Sequence, residues 1–206
     1  MSRRETIEMS GAEVASFLGE ERTVTCATVG PRGWPHLMPL WYVLRDANAG
    51  DIGAGHAAAD ASSAAAYVDV GDASAAAVGE PEGATATDAR PVVRIWAWTY
   101  AASQKVRNLE RDPRATLQVE AGEQYQELRG VMLECEATIH RDAPVVQALG
   151  GEIFRRYASP SGEAPVESLP QEVSAMVDKQ ALKRVALEFV ELRRASWDHR
   201  KLGGVY

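Results

Sequence analysis

Cysteine is nearly absent from this chain: Cys26 and Cys135 are the two among 206 residues. Each sits in a stretch of alternating apolar residues, so buried reduced thiols are expected, not a disulfide or a redox pair. There is no CxxC and no Cys/His cluster, the patterns that announce a structural metal. Lysine is scarce too, occurring only at Lys105, Lys179, Lys183 and Lys201. Acidic residues outnumber basic ones, 29 to 22, for a net charge of −7. That balance argues against nucleic acid as the main partner, because binding a phosphate backbone needs a basic face. No apolar run reaches the roughly 18 residues of a membrane span. The opening Met1-Ser2-Arg3-Arg4-Glu5 is followed by polar sequence without the apolar core of a signal peptide, which predicts a cytoplasmic protein. No GxGxxG or GxxxxGK[ST] follows a strand, so Rossmann and P-loop readings fail.

What is present reads mainly as strand. Ser10-Gly11-Ala12-Glu13 is a capping box ahead of the apolar stripe Val14, Phe17 and Leu18. Thr23 to Val29 alternates, Gly30 to Pro35 turns, and His36 to Leu44 returns as the second arm of a hairpin. From Asp46 to Pro91 the composition shifts to Ala, Gly, Asp, Ser and Thr. Too little apolar surface is available there to offset ordering entropy, so a flexible insertion at 46–91 is expected within one domain, 1–206. Regular pattern resumes with the aromatic alternation Arg94-Ile95-Trp96-Ala97-Trp98-Thr99-Tyr100. Ser103 is placed to cap a short helix from Gln104, which Asp112-Pro113 stops. Ala115–Glu120, Leu128–His140 and Lys183–Arg194 are further strands, and helices start near Pro144 and Ser168. About six strands and four short helices, mostly adjacent in sequence, predict a mainly β antiparallel barrel with peripheral helices.

The chemistry concentrates at Trp98 to Leu109. There a strand ends in hydroxyl side chains, Thr99 and Ser103, and opens a helix that bears Lys105 and Arg107. Two hydroxyls, two cations and free backbone N–H groups are what a phosphate site requires, and a solvated helix face with an ordinary cap would use the same residues. His36 reads as a hairpin surface residue or as one facing a ligand. Trp96 and Trp98, two apart, read as core or interface packing or as stacking partners.

The segment Lys105-Val106-Arg107-Asn108-Leu109-Glu110-Arg111-Asp112-Pro113-Arg114 resembles the K-x-R-N-L-x-x-D-P-R stretch of the pyridoxamine 5′-phosphate oxidase-like superfamily. Gly33-Trp34-Pro35-His36-Leu37-Met38-Pro39-Leu40-Trp41-Tyr42 and Leu128-Arg129-Gly130-Val131 extend the likeness, which covers roughly 8–45 and 92–195. The resemblance implies a six-stranded split β-barrel that forms a homodimer, with a cofactor at each end of the interface. It implies that Lys105 holds the cofactor phosphate, assisted by Thr99 and Ser103, that Arg107 either joins them or pairs within the dimer, and that Met38, Pro39, Leu40 and Trp41 run beside a flavin ring. The implied activity is an oxidoreductase passing hydride from FMN, or alternatively coenzyme F-420, to a small unsaturated or quinone-like acceptor. A non-catalytic flavin- or haem-binding module is the alternative. The C-terminal substrate motifs of true pyridoxamine phosphate oxidases are missing, which argues against vitamin B6 oxidation. No catalytic dyad or metal site is read, and the tail from Trp197 either reaches the pocket or is exposed.

Overall fold

The computed structural model describes residues 3–46, 93–160 and 165–203. A short helix α1 (Arg3–Ile7) precedes α2 (Gly11–Glu20), whose capping box forms as the sequence predicts. The Ser10 hydroxyl accepts from Glu13 N, and Ser10 N donates to the Glu13 carboxylate. Then come β1 (Val24–Val29), β2 (Pro35–Leu40), β3 (Tyr42–Asp46), β4 (Val93–Tyr100), α3 (Gln104–Arg111), β5 (Arg114–Ala121) and β6 (Arg129–His140). Helices α4 (Ala143–Ala158) and α5 (Gln171–Ala181) follow, then β7 (Arg184–Asp198) and a 3-10 turn His199–Leu202.

All strands join one antiparallel sheet in the order β2-β1-β5-β6-β7-β4-β3. The sheet curls into a split barrel. Its inner face gathers Cys26, Ile95, Ala97, Leu117, Val131, Leu133, Leu187 and Phe189, and α2 adds Val14, Phe17 and Leu18. The outer faces of β4 and β7 are covered by α4 and α5, where Trp96, Trp98 and Ala186 meet Val146, Leu149, Ile153 and Val177. Two central strands are therefore buried on both faces. This explains why β4 carries large apolar residues at odd and even positions alike.

Seven strands stand where six were expected, because the arm His36–Leu44 breaks in two. Leu40 and Tyr42 are both buried while Trp41 between them is half exposed. That is the point where the chain leaves its pairing with β1 and crosses to pair with β4. The described helices number five and not four, α1 being the unforeseen one. Of the insertion expected at 46–91, Asp46 is the last residue of β3 and the remainder lies outside the described residues. Strand β7 also runs four residues past Arg194. A bulge against Glu134 and Cys135 turns Leu192 outward, and beyond it Arg194, Ser196 and Asp198 oppose Leu133, Val131 and Arg129. Polar residues thus sit on an inward face, satisfied by Glu191 for Arg194, by Met9 N for Ser196 and by Arg200 for Asp198. Among the described residues no helix is long and apolar enough to cross a membrane.

The described part of the tail, 197–203, is packed within the chain, and 204–206 lie outside the described residues. Trp197 lies over Gly130, and the Lys201 ammonium donates to Glu8 O and to the Glu13 carboxylate. Both cysteines are free and buried, and desolvation pushes each thiol up to about 12. A thiol-specific reagent at pH 8 should therefore label neither in the native protein and both after denaturation. Fast labelling of the folded chain would contradict this burial. Gly150 on α4 is where the helix meets β4: an added Cβ would stand 2.6 Å from Trp98 Cζ3 and 2.9 Å from Val177 Cγ1. Gly150→Ala should cost about 1–3 kcal/mol by overpacking, measured by urea denaturation.

Candidate functional site

Strand β4 decides what faces where. Thr99 points to the barrel interior, while Trp98 and Tyr100 point outward. The turn after it is closed by Ser103 N donating to Tyr100 O at 3.0 Å, and Ala101 N donates to Lys183 O at 3.0 Å. The start of α3 is therefore tied to the end of β4 and to the start of β7. On α3, Lys105, Val106, Asn108 and Leu109 turn inward and Arg107 outward. This i, i+3, i+4 pattern is one helical face, and it accounts for much of the Lys-x-Arg-Asn-Leu motif. Asn108 is fully buried, donates to Thr28 Oγ1 at 2.9 Å and accepts from Gln104 Nε2 at 2.8 Å. The Asp112 carboxylate takes a two-pronged contact from Arg114, which lowers its pKa to about 2.

Lys105 is the unusual member. Its side chain is only 6% exposed, and its Nζ donates to Thr99 Oγ1 at 2.9 Å. Among the described residues no carboxylate lies within ion-pair distance of it. A buried ammonium normally has an acid beside it. Burial holds the Lys105 pKa below the ordinary lysine value, and the neighbouring Arg184 guanidinium pushes the same way against the opposing pull of Cys26.

Ser103 occupies the cap position of α3 but makes no capping bond, contrary to the expectation from sequence. Its Oγ is buried with no hydrogen-bond partner. The first turn of α3 is therefore left without the side-chain cap that its residues offer. Thr99 and Lys105 thus meet at the β4–α3 junction, Ser103 lies in the turn between them, and Arg107 stands on the exposed face of the same helix.

The hairpin residues behave individually. Among the described residues strand β2 is an edge of the sheet and pairs with β1 alone, so one side of its backbone has no sheet partner among them. Pro39 is tolerated there for that reason. Met38 and Pro39 are exposed, whereas Leu40 belongs to the core. Trp41 stacks on Tyr157 of α4, with centroids 4.3 Å apart and planes 14° from parallel, and meets the edge of Phe154. Trp96 and Trp98 are core residues under α4 and α5, and His36 is partly buried with Nδ1 unpartnered. One cation went unnoticed in the sequence: the Arg184 guanidinium lies 4.5 Å from the Trp98 ring and 4.2 Å from the Tyr100 ring. Only the pairing of Tyr100 with Arg184 brings it there.

A curled antiparallel sheet, split at its seam and carrying a helix that buries a lysine with no carboxylate partner among the described residues, defines a split-barrel protein. The chain belongs to the pyridoxamine 5′-phosphate oxidase family, whose model matches residues 73–190. It is similar along its length to a conserved hypothetical protein of Mycobacterium tuberculosis, at 32% identity over 100% of this chain and 95% of that one, with a TM-score of 0.67. A candidate 5-nitroimidazole resistance protein from Bacteroides thetaiotaomicron shares the fold at 8% identity, with 92% and 84% of the chains covered and a TM-score of 0.52. No curated protein sequence matches.

Because the folded-state pKa of Lys105 is lowered, the unfolded chain holds that proton more tightly. The buried charge therefore costs stability at neutral pH, and the cost fades as pH rises from the folded pKa toward 10.5. Lys105→Met should raise Tm at pH 7 by about 2–4 °C, the equivalent of about 1 kcal/mol in a chain of this size. The gap should narrow toward pH 10, as read by thermal melts across pH.

Proposed function

We propose that this chain is a flavin-type oxidoreductase that binds FMN, or alternatively coenzyme F-420, and passes hydride to a small unsaturated or quinone-like acceptor. The observation that carries the reading is the buried Lys105 ammonium, which has a hydroxyl as its partner and no acid. In the turn that opens the same helix, the Ser103 hydroxyl is buried with no partner among the described residues. Groups left in that state inside a protein are costly, and an anionic ligand supplies what both lack. In this reading Lys105, Thr99 and Ser103 hold the phosphate, and Arg107 screens it from the exposed side of α3. The free edge of β2 at Met38 and Pro39 offers backbone groups to a ring's polar rim. Leu40 and Trp41 shape that strand from the core and from α4 respectively. The bound ring supplies the hydride chemistry, so no acid–base dyad is required of the chain. The protein's part is to orient, to exclude water and to balance charge.

Exposed Trp34, Leu37 and Met38 on the β1–β2 hairpin support a homodimer, since one barrel leaves them uncovered. The acceptor is not vitamin B6, given the missing C-terminal motifs.

The experiment is a fluorescence titration of the purified protein with FMN and, in parallel, with F-420. Saturable binding of one of them is expected, weakened about tenfold to a hundredfold in Lys105→Met, which removes the charge and keeps the volume. Unchanged affinity in that variant would sink the site assignment. Tight binding without reduction of any quinone acceptor would instead make the protein a carrier.

A further inference from the structure

Arg184 stands at the first position of β7, opposite Tyr100 in the β4–β7 register. Its guanidinium carbon lies over two rings, 4.5 Å from the centroid of Trp98 and 4.2 Å from that of Tyr100. Cation–π contacts of this kind fix the plane of the group while leaving its edge, where the N–H donors are, unengaged. The Arg184 Nε is buried and has no hydrogen-bond partner, and among the described residues no carboxylate pairs with the side chain. The residue before it, Lys183, accepts a hydrogen bond from Ala101 N, which docks the start of β7 on the Tyr100–Ser103 turn that opens α3. The Arg184 charge bears on Lys105, and among the described residues neither side chain is paired with a carboxylate. In a chain of net charge −7 this is a local reversal of sign.

A phosphate monoester carries about −1.5 to −2 charges at neutral pH. Lys105 is the one buried cation assigned to it so far, Arg107 being on the exposed face of α3, so part of that charge is left uncompensated inside the site. Resting on the cofactor reading above, we infer that Arg184 is the second cation of the phosphate site, held edge-on by the Trp98–Tyr100 clamp so that its planar fork meets the phosphate oxygens. No family motif singled out this residue; the strand register brings it to the turn. The aromatic clamp has a purpose under this inference: it preorganises a guanidinium that would otherwise lose rotamer freedom on binding.

The test compares FMN with riboflavin, which has the same ring and ribityl chain but no phosphate, by fluorescence titration of the full chain. Arg184→Gln should weaken FMN at least about tenfold, as loss of a charge-assisted contact does, and leave riboflavin unchanged. Arg184→Lys, which keeps the charge without the fork, should fall between Gln and wild type. Equal loss of both ligands in Arg184→Gln would assign the residue to packing and overturn the inference, as would FMN affinity equal to wild type. If the wild-type protein binds neither FMN nor F-420, the cofactor reading fails and takes this inference with it. A failure confined to Arg184 leaves wild-type binding intact, so the two failures are distinguishable.

Discussion

The pairing of β4 with β7 is the constraint on which the remaining structure hangs. Both strands are buried on two faces, so their register settles at once which residues fill the barrel and which face α4 and α5. With Thr99 opposite Val185, the hydroxyl points inward to where α3 delivers the Lys105 ammonium. With Tyr100 opposite Arg184, a guanidinium lands over two rings at the same end of the barrel. A slip of one residue would exchange the two faces, turning Arg184 toward the barrel interior and Leu187 toward α4 and α5. The hydrophobic cost of that exchange is what keeps the polar site in place.

Around this pairing the helices act as ties. Near the C-terminal end of α4, Arg156 donates to the last carbonyls of α2, at Leu18, Gly19 and Glu21, and lies over the Tyr42 ring. The Tyr157 hydroxyl accepts from Tyr42 N at 3.0 Å and donates to Arg22 O, and its ring carries Trp41. One turn of helix thus joins α2, the entrance to β1 and the break between β2 and β3. The edge strand β2 is held at that corner, although it has a sheet neighbour on only one side.

The site and the stability of the fold pull in opposite directions. A buried ammonium with one hydroxyl, a buried hydroxyl with no partner and a guanidinium with an unsatisfied Nε each weaken the apo protein. Three such groups at one end of a well-packed barrel are hard to explain by folding alone. They are accounted for if the end of the barrel is completed by a ligand that carries the missing negative charge.

Much was legible in the sequence because it depends on local period. The alternation in β1, β4, β5 and β6, the Ser10 capping box, the stop at Asp112-Pro113 and the Lys105 motif all follow from spacing along the chain. The split barrel itself followed from the number and order of strands, and from the resemblance those motifs carry. What local period could not show was set by contacts between distant residues. The break at Trp41 exists because Leu40 and Tyr42 both find core on opposite sides of a corner. The extension of β7 to Asp198 exists because a bulge at Leu192 reverses which residues face inward, making Ser196 and Asp198 look like loop in a one-dimensional reading. Ser103 reads as an ordinary cap until its hydroxyl is seen buried and unpartnered. Arg184 reads as an ordinary strand-end cation until pairing sets it over Trp98 and Tyr100. The sequence by itself determined the strands, the caps and the lysine at the head of α3, because these rest on neighbours within a few residues. Only the tertiary structure decided that the lysine is buried with no acid beside it among the described residues, and that an arginine about 80 residues away lies over Trp98 and Tyr100, because burial and partnership are properties of the packed sheet.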